Sequence, residues 1–460
     1  MNLILKKIFI LSTIILVYTN INSQPHHFFD GTDALTKEIM YNAEKQIEKV
    51  RKGNFTIQIQ NLNDLKGKDI QIELVEHDFT FGTNLFGLDE ISDQNLAKQM
   101  AVKTIEDLFN TVIVCDYWGR TQSKKNKKPR WKYTDYQMEF AKKYSKKNRY
   151  HALLFSYPRW FHTYETEEEL WVVIEQRIKD VAKRYGDEIN EVDVINEFIN
   201  YQYWDKNPHA KYLKTTKFPD FAKPENGARV LKLARKYLTK SKLVVLETNI
   251  WSVSNPIYQE IYDYHKKLIA MEVDYDYIGY QAHYYALQNT PFQEGTKQWG
   301  PRTFMMDEIN RGMEQMATLG KPIIIAEFNP PSRNNKNKNP NQPRLTDEEI
   351  AAWEVNFYTL MFSKPYIDGI TRWFTIDNLG GRGMDAGIVS EEGVLKPNYF
   401  ALKNLIKEKW HTKWKGKFSK EKIEFRGFYG KYKVTVEGYK DETINLNKSN
   451  LSLNLNLRKN

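Results

Sequence analysis

Residues 192–197 read Val-Asp-Val-Ile-Asn-Glu, and residues 322–327 read Pro-Ile-Ile-Ile-Ala-Glu. Each stretch is a short apolar run that ends in a glutamate. A run of this kind is typical of a parallel strand that is buried on both faces. The sequence therefore predicts a fold of alternating strands and helices in which Glu197 and Glu327 lie at the C-terminal tips of two strands.

Eight strand-like runs follow one another from residue 79. They are Phe79–Phe86, Thr111–Cys115, His151–Tyr157, Val192–Glu197, Lys242–Asn249, Tyr277–His283, Pro322–Phe328 and Gly369–Asp377. Helical stretches lie between them, at Asp93–Phe109, Thr134–Lys147, Glu167–Tyr185, Pro224–Leu238, Pro256–Met271, Phe304–Leu319, Asp347–Phe362 and from Lys396 onward. This alternation predicts an α/β fold, a (β/α)8 TIM barrel over residues 79–410. The periodicity alone leaves an open α/β sheet as the alternative.

Both flanks of the predicted barrel alternate apolar and polar residues, over residues 55–78 and again over residues 423–457. A period of two is typical of half-buried antiparallel strands. Neither flank has enough strands for a stable sheet of its own. We therefore expect an N-terminal β extension (residues 24–78) and a C-terminal β extension (residues 411–460) to form one small β-sandwich beside the barrel.

Within the first 23 residues, Lys6 and Lys7 are followed by a short apolar segment. This pattern predicts a cleaved signal peptide and a secreted or periplasmic protein. No later run is long enough to predict a membrane span. Cys115 is the single cysteine, which excludes an internal disulfide framework, and we interpret it as a buried strand residue.

The chain has 68 Lys and Arg against 58 Asp and Glu, a net charge of +10. The basic run at residues 124–128 is interpreted as a solvated loop, because an exported chain rarely meets nucleic acid. A positive field also suits an acidic polysaccharide. We expect a monomer without a nucleic-acid partner. The nine histidines have no ligand-like spacing, so we expect no metal and no cofactor.

Polar and aromatic side chains gather near the predicted strand tips. Besides the two glutamates they are Asn196, Asn249, Gln281, His283 and Trp373. Two carboxylates on facing strand tips can flank one glycosidic bond. The cluster therefore predicts a carbohydrate-cleaving site, although each of these residues alone has an ordinary structural explanation.

The sequence of these strand-like runs resembles glycoside hydrolase family 10, the family of endo-β-1,4-xylanases. Residues 192–197 resemble its acid/base strand, which usually reads Trp-Asp-Val-Val-Asn-Glu. Residues 322–328 resemble its nucleophile strand, and residues 276–283 resemble its sixth strand, in which Gln and His lie two apart. Residues 369–377 resemble its eighth strand. The resemblance keeps the strand order from about residue 79 to residue 410.

The resemblance implies a retaining double displacement on a polysaccharide. Glu327 would be the nucleophile and Glu197 the acid/base. Asn196 would bind the sugar 2-hydroxyl, Gln281 and His283 would orient Glu327, and Trp373 would form the floor of the cleavage subsite. Asn249 is a further candidate for substrate binding.

Two stretches depart from the family pattern. The second strand usually ends Glu-Asn-x-x-Lys and binds the sugar on the non-reducing side, but here residues 114–119 read Val-Cys-Asp-Tyr-Trp-Gly. The third strand usually carries Trp-His-Ser-Gln, but residues 155–158 read Phe-Ser-Tyr-Pro. We expect Asp116 and Trp118 to contact the sugar instead. A substituted or acidic β-glycan is therefore a candidate substrate as well as xylan. Arg120, Arg159 and Arg382 are the candidate residues to bind its anionic groups.

Three other functions stay open. Long loops over the strand tips would suit an exo-acting β-glycosidase. A barrel can also bind a polysaccharide without cleaving it, although the presence of both glutamates disfavours this. A phosphate-handling barrel is weakly suggested by Gly-Gly-Arg-Gly at residues 380–383.

Overall fold

A computed structural model describes residues 33–60, 65–199, 212–248, 253, 256–284, 305–331, 346–379, 385–418 and 422–460. The strands, numbered in chain order, are β1 (Lys52–Ile59), β2 (Asp69–His77), β3 (Thr80–Asn84), β4 (Thr111–Cys115), β5 (Lys147–Leu154), β6 (Glu191–Asn196), β7 (Lys242–Thr248), β8 (Tyr277–His283), β9 (Ile323–Asn329), β10 (Ile367–Arg372), β11 (Lys413–Lys417), β12 (Lys422–Phe428), β13 (Gly430–Val436), β14 (Glu442–Leu446) and β15 (Ser452–Leu455). The helices are α1 (Ala34–Val50), α2 (Leu96–Leu108), α3 (Trp118–Thr121), α4 (Lys132–Lys143), α5 (Glu167–Tyr185), α6 (Pro224–Tyr237), α7 (Pro256–Ala270), α8 (Met306–Ala317), α9 (Asp347–Phe362) and α10 (Pro397–Asn404).

Strands β3 to β10 form a closed barrel of eight parallel strands. The last strand pairs with the first, with Gly369 opposite Thr80. Every residue of β4 and β9 is buried, as expected for strands that are covered by helices on one face and by the barrel core on the other. The predicted (β/α)8 barrel is therefore confirmed, and the open sheet is excluded.

The third barrel strand begins earlier than predicted. It spans Lys147–Leu154 rather than residues 151–157. Its first half is polar and did not look like a buried strand, yet Arg149 is fully buried because Asp193 of the neighbouring strand pairs with it. The shift places His151 inside the strand.

Helix starts follow local capping chemistry. The Thr166 hydroxyl accepts a hydrogen bond from the backbone N–H of Glu169 (3.2 Å), and the Glu169 carboxylate accepts one from the N–H of Thr166 (3.0 Å). This is a reciprocal capping box, which a Thr and a Glu three residues apart form at the start of α5. Thr346 and Glu349 repeat it at the start of α9. These two caps fix where the chain enters α5 and α9.

The terminal strands form two small sheets. One has the order β12-β1-β15 and the other has the order β11-β2-β13-β14, so each sheet contains one strand from the N-terminal flank. The ring of Phe55 on β1 lies 5.9 Å from the ring of Tyr432 on β13, which joins the two sheets face to face. The two ends of the chain therefore pair with one another, as expected.

Helix α1 was not predicted: within the N-terminal β extension, the sequence pattern indicated strands at residues 55–78 only. The helix begins after Asp33, whose carboxylate accepts a hydrogen bond from the N–H of Thr36 (2.7 Å). Only Thr36, Ala43 and Ile47 of this helix are buried. The apolar stripe is too narrow to give a clear helical period in the sequence. The first part of that extension and the expected signal peptide lie outside the described residues.

Arg51 joins this flank to the barrel. Its guanidinium donates to the carbonyl of Phe362 (2.7 Å), which is the last residue of α9, and to the carbonyls of Lys364 and Ile367 (2.6 Å each). Ile367 begins β10, so the flank is anchored at the end of the barrel opposite the strand tips. Burial lowers the pKa of Arg51 to about 10. No helix within the described ranges is long and apolar enough to cross a membrane.

Candidate active site

The two predicted glutamates share one hydrogen-bond donor. Glu327 is a buried residue of β9, and Glu197 directly follows β6 with a left-handed backbone (φ 54°). The side-chain nitrogen of Gln281, on β8, lies 3.1 Å from Oε1 of Glu197 and 3.2 Å from Oε1 of Glu327. It also lies 2.9 Å from Oδ1 of Asn196. Four residues that the sequence predicted for the site therefore meet at a single amide nitrogen.

His283 holds the other oxygen of Glu327. Its Nε2 lies 2.9 Å from Glu327 Oε2, and its Nδ1 lies 3.1 Å from the side-chain nitrogen of Asn329. The oxygen of the same Asn329 amide accepts from the N–H of Phe374, which fixes the amide orientation. Because an amide nitrogen only donates, Nδ1 accepts, and the proton of the ring lies on Nε2 toward the carboxylate.

His151 is a site residue that was not predicted from the sequence. Its Nε2 lies 3.6 Å from Oε1 of Glu327, and its Nδ1 lies 2.8 Å from Oδ2 of Asp193. Arg149 Nε lies 3.4 Å from the same Asp193 oxygen, and the guanidinium also donates to the carbonyl of Ala326. The third strand therefore supplies a histidine after all, from its interior rather than from its tip.

These neighbours determine the charge of the site. Burial raises the pKa of Glu327, but His151, His283 and Arg149 outweigh it, and the net result is a pKa below the ordinary value. Burial lowers the pKa of His151, but the carboxylates of Glu327 and Asp193 outweigh it and raise the pKa overall. The two shifts have opposite directions, and both favour the charged form: a carboxylate at Glu327 and an imidazolium at His151.

Trp373 lies where a floor for the sugar is expected. It follows β10, and only 5% of its surface is exposed. Its ring centre lies 5.1 Å from that of His151 and 6.0 Å from that of His283, and the plane of each histidine ring is steeply inclined to it (74° and 71°). One tryptophan thus contacts both histidines that flank Glu327.

Asp116 and Trp118 need correction, because the structure buries both completely. Oδ2 of Asp116 pairs with the guanidinium of Arg177 (3.2 Å) and accepts from the hydroxyl of Tyr150. The Trp118 ring packs edge-to-face on Phe161 at 5.1 Å. Neither side chain presents a surface to a sugar, so the predicted sugar contacts of Asp116 and Trp118 are wrong.

Tyr117 lies between these two residues and is partly exposed at the strand tips. Its ring centre lies 5.9 Å from Phe86 and 5.5 Å from Phe155, which are also partly exposed.

Cys115 is buried, as predicted, and its thiol lies 3.2 Å from the Asn84 side-chain oxygen. Burial raises the pKa of this thiol well above its ordinary value.

Of the remaining candidate site residues, two are described by the structure and two are not. Arg120 pairs with Glu90 (2.6 Å) and lies over the ring of Tyr133 (4.3 Å), and Arg159 is exposed. Asn249 and Arg382 lie outside the described residues. Among the residues that the structure describes, no group of three or more His, Cys, Asp and Glu side chains is arranged to hold a metal ion.

The closed (β/α)8 barrel brings two glutamates together from its fourth and seventh strands. This is the architecture of a barrel glycoside hydrolase. Residues 73–404 match the profile of Glycosyl hydrolase family 10, and the chain belongs to this family.

Two curated relatives match at low identity. One is the Anti-sigma-I factor RsgI6 of Acetivibrio thermocellus, 22% identical over 435 residues, which cover 90% of this chain and 49% of the relative. The other is a Beta-1,4-xylanase of Dictyoglomus thermophilum, 25% identical over 249 residues, which cover 52% of this chain and 63% of the relative. The chain thus spans less than two thirds of either relative.

Solved structures share the barrel fold. Xylanase 10B of Thermotoga petrophila, in complex with xylobiose, aligns with a TM-score of 0.56 and 20% identity over 72% of this chain and 95% of that chain. Native xylanase 10B of Thermotoga maritima aligns with the same TM-score and identity, over 72% and 96% of the two chains.

Proposed function

We propose that this protein is a retaining endo-β-1,4-glycosidase that hydrolyses xylan or a related substituted or acidic β-glycan. The observation that carries the proposal is the bridging amide of Gln281, which reaches Oε1 of both Glu197 and Glu327. Retention requires two carboxyl groups roughly 5–5.5 Å apart, and two carboxylates that share one donor are suited to that spacing.

In the first step, Glu327 attacks the anomeric carbon as a carboxylate. The glycosidic bond breaks, and Glu197 gives its proton to the departing oxygen. In the second step, Glu197 takes a proton from water, whose oxygen attacks the anomeric carbon and releases Glu327. The lowered pKa of Glu327 supports its assignment as the nucleophile, because only the charged form attacks.

The surrounding residues then take positioning roles. His283 donates to Oε2 of Glu327 and leaves Oε1 near Gln281 and His151. Asn196 is in place to bind the sugar 2-hydroxyl, an interaction that strengthens in an oxocarbenium-like transition state. Trp373 would support the sugar from below.

The polymer is proposed from the family and from the Dictyoglomus thermophilum relative, which is described as a β-1,4-xylanase. An exo-acting β-glycosidase uses the same site chemistry and is the second candidate. Export through residues 1–23, action as a monomer and the absence of a nucleic-acid partner are proposed from the sequence pattern alone.

The test is the anomer formed at early times from xylo-oligosaccharides, followed by proton NMR. We expect the β-anomer to form first. The Glu327→Gln variant should turn over several orders of magnitude more slowly than the wild type. The matched control Glu391→Gln alters an exposed carboxylate and should behave as the wild type. An α-anomer, or an active Glu327→Gln variant, would refute the mechanism. The length distribution of products from the polymer separates endo from exo action.

A further inference from the structure

Strand β9 contains a bulge directly before Glu327. In its pairing with β8, Ile325 and Glu327 have partners, and Ala326 between them is skipped. In its pairing with β10, the register passes from Ile325 to Phe328, so Ala326 is skipped on that side as well. A bulge inserts an extra residue into a strand and changes the direction of the side chains beside it.

The bulge accounts for the direction of the Glu327 side chain. Successive residues of a regular strand point to opposite faces. Ala326 packs in one buried cluster with Tyr277. Tyr277 shares a face of β8 with Gln281, because the two are four positions apart. Glu327 directly follows Ala326, yet it reaches the same Gln281 (3.2 Å). The backbone at Ala326 therefore determines where the carboxylate points.

Arg149 reaches this bulge from the opposite side of the barrel. It is completely buried, and its strand β5 lies four strands from β9 in the closed order of eight. The guanidinium crosses the barrel interior and donates to the carbonyl of Ala326. Its Nε lies 3.4 Å from Oδ2 of Asp193, and the same oxygen lies 2.8 Å from Nδ1 of His151. One arginine thus connects the bulge with the histidine beside Glu327.

We propose that Arg149 is a positioning residue for the nucleophile: by holding the Ala326 carbonyl, it fixes the bulge and with it the direction of the Glu327 carboxylate. A guanidinium is a rigid fork that can serve two acceptors in different places, here Asp193 and Ala326. This inference rests on the proposed function and adds a residue that acts through the backbone of β9.

A purely electrostatic role is the competing explanation, because the charge of Arg149 also helps to lower the pKa of Glu327. Arg149→Lys separates the two roles. Lysine keeps the positive charge beside Asp193, but it ends in one nitrogen instead of a fork and releases the Ala326 carbonyl. A charge effect alone leaves the rate of this variant at the wild-type value, whereas a positioning role lowers it.

The first measurement uses the aryl β-glycoside that the wild type hydrolyses fastest. In Arg149→Lys we expect kcat to fall by up to about a hundredfold, the usual effect of a displaced catalytic group. KM should stay unchanged, because the carboxylate direction matters in the transition state rather than in binding. The acidic limb of the pH profile should also stay in place. A wild-type kcat, with or without a shifted acidic limb, would overturn the inference.

The matched control is Arg177→Lys. Arg177 is also fully buried, pairs with Asp116 (3.2 Å) and donates to a strand carbonyl, that of Leu153 (3.4 Å). These partners have no part in the proposed mechanism. We expect Arg177→Lys to unfold at a lower urea concentration with kcat unchanged. A loss of kcat as large as that of Arg149→Lys would mean that the effect is not specific to the bulge, and the inference would fail.

Trapping of the covalent intermediate measures the attack by Glu327 directly. With a 2-deoxy-2-fluoro analogue of the same glycoside, the Glu327 oxygen bonds to the anomeric carbon as the aryloxide leaves, and the fluorine slows hydrolysis of the adduct. Mass spectrometry counts the sites that react, so the rate constant per site does not depend on how much protein is folded. In Arg149→Lys this rate constant should fall as kcat does, with unchanged affinity for the analogue. A wild-type rate constant would refute the positioning role.

A second pair of variants decides the question where Arg149→Lys does not fold. Arg149→Met combined with Asp193→Asn removes both buried charges, so neither is left uncompensated. Asp193→Asn alone is the reference, because it keeps Arg149 on the Ala326 carbonyl. The trapping rate constant of the double variant should lie up to about a hundredfold below that of the reference. Equal rate constants would overturn the inference.

The wild type separates this inference from the proposed function. If it hydrolyses no aryl β-glycoside and forms no adduct with the fluoro analogue, the proposed function fails, and the inference falls with it. If it does both and the Arg149 variants react at the rate of their references, only the positioning role fails.

Discussion

His151 lies between the proposed nucleophile and a second carboxylate. Its Nε2 is 3.6 Å from Oε1 of Glu327, and its Nδ1 is 2.8 Å from Oδ2 of Asp193. All three side chains are buried. A protonated imidazole in this position offsets two negative charges, and Asp193 fixes the orientation of the ring. The charge of Glu327 therefore depends on a residue from a different strand.

Replacing His151 with Asn should shift the acidic limb of the pH profile of kcat/KM to higher pH. The imidazolium helps to hold the pKa of Glu327 below its ordinary value, so its loss lets that pKa rise, and the nucleophile is protonated earlier as the pH falls. His162→Asn changes an exposed histidine and serves as the control. An unchanged acidic limb in His151→Asn would contradict this electrostatic coupling.

Replacing Glu197 with Ala should slow the cleavage of substrates with poor leaving groups most, because these need a proton on the departing oxygen. With an aryl β-glycoside that has an activated leaving group, the rate of the first step should fall only slightly. Azide should then accelerate turnover by taking the place of the general-base-activated water. The product to identify by mass spectrometry is the β-glycosyl azide, and its absence would exclude Glu197 as the acid/base.

Replacing Asp116 with Asn should reduce stability and leave KM unchanged. Asp116 offsets the buried guanidinium of Arg177, and removing one partner of a buried pair costs about 3–5 kcal/mol. Urea unfolding measures the loss, and KM for xylo-oligosaccharides is measured where the variant is folded. Asp187→Asn, at a highly exposed ion pair with Lys240, is the control. A raised KM with unchanged unfolding would restore Asp116 as a sugar contact.

Deleting residues 421–460 should lower Tm or make the protein insoluble. The deletion removes β12 and β15, the two partners of β1, and it removes β13 and β14 from the other sheet. Apolar residues such as Phe55 and Ile57 would then face water, at a cost of about 25 cal/mol per Å². A truncated protein that melts at the wild-type temperature would mean that the pairing of the two ends adds no stability.

The barrel could be predicted because its signal is local. A buried parallel strand such as β9 is a continuous apolar run, and its C-terminal tip identifies the place of Glu327 without knowledge of any contact. Gln281 and His283 followed from the same argument, because residues two apart on a strand point to the same face.

The missed features depend on contacts between distant residues. His151 lies inside a strand whose polar start, with Arg149, is buried only because Asp193 of the next strand pairs with it. Asp116 and Trp118 were placed correctly at a strand tip, but their direction depends on Arg177 and Phe161 of later elements. Sequence position gives the end of a strand and does not give the orientation of the side chains beyond it.

The pairing of the two chain ends has a consequence for synthesis. Asn54 on β1 and Arg426 on β12 form a hydrogen bond across 372 residues of sequence. A ribosome adds about 5–20 residues per second, so β1 is without its C-terminal partner strands for tens of seconds during synthesis. Its unpaired edge can bind other strands during that time. We therefore expect the yield of folded protein to depend more strongly on translation speed and on chaperones than it would for a barrel without these terminal strands.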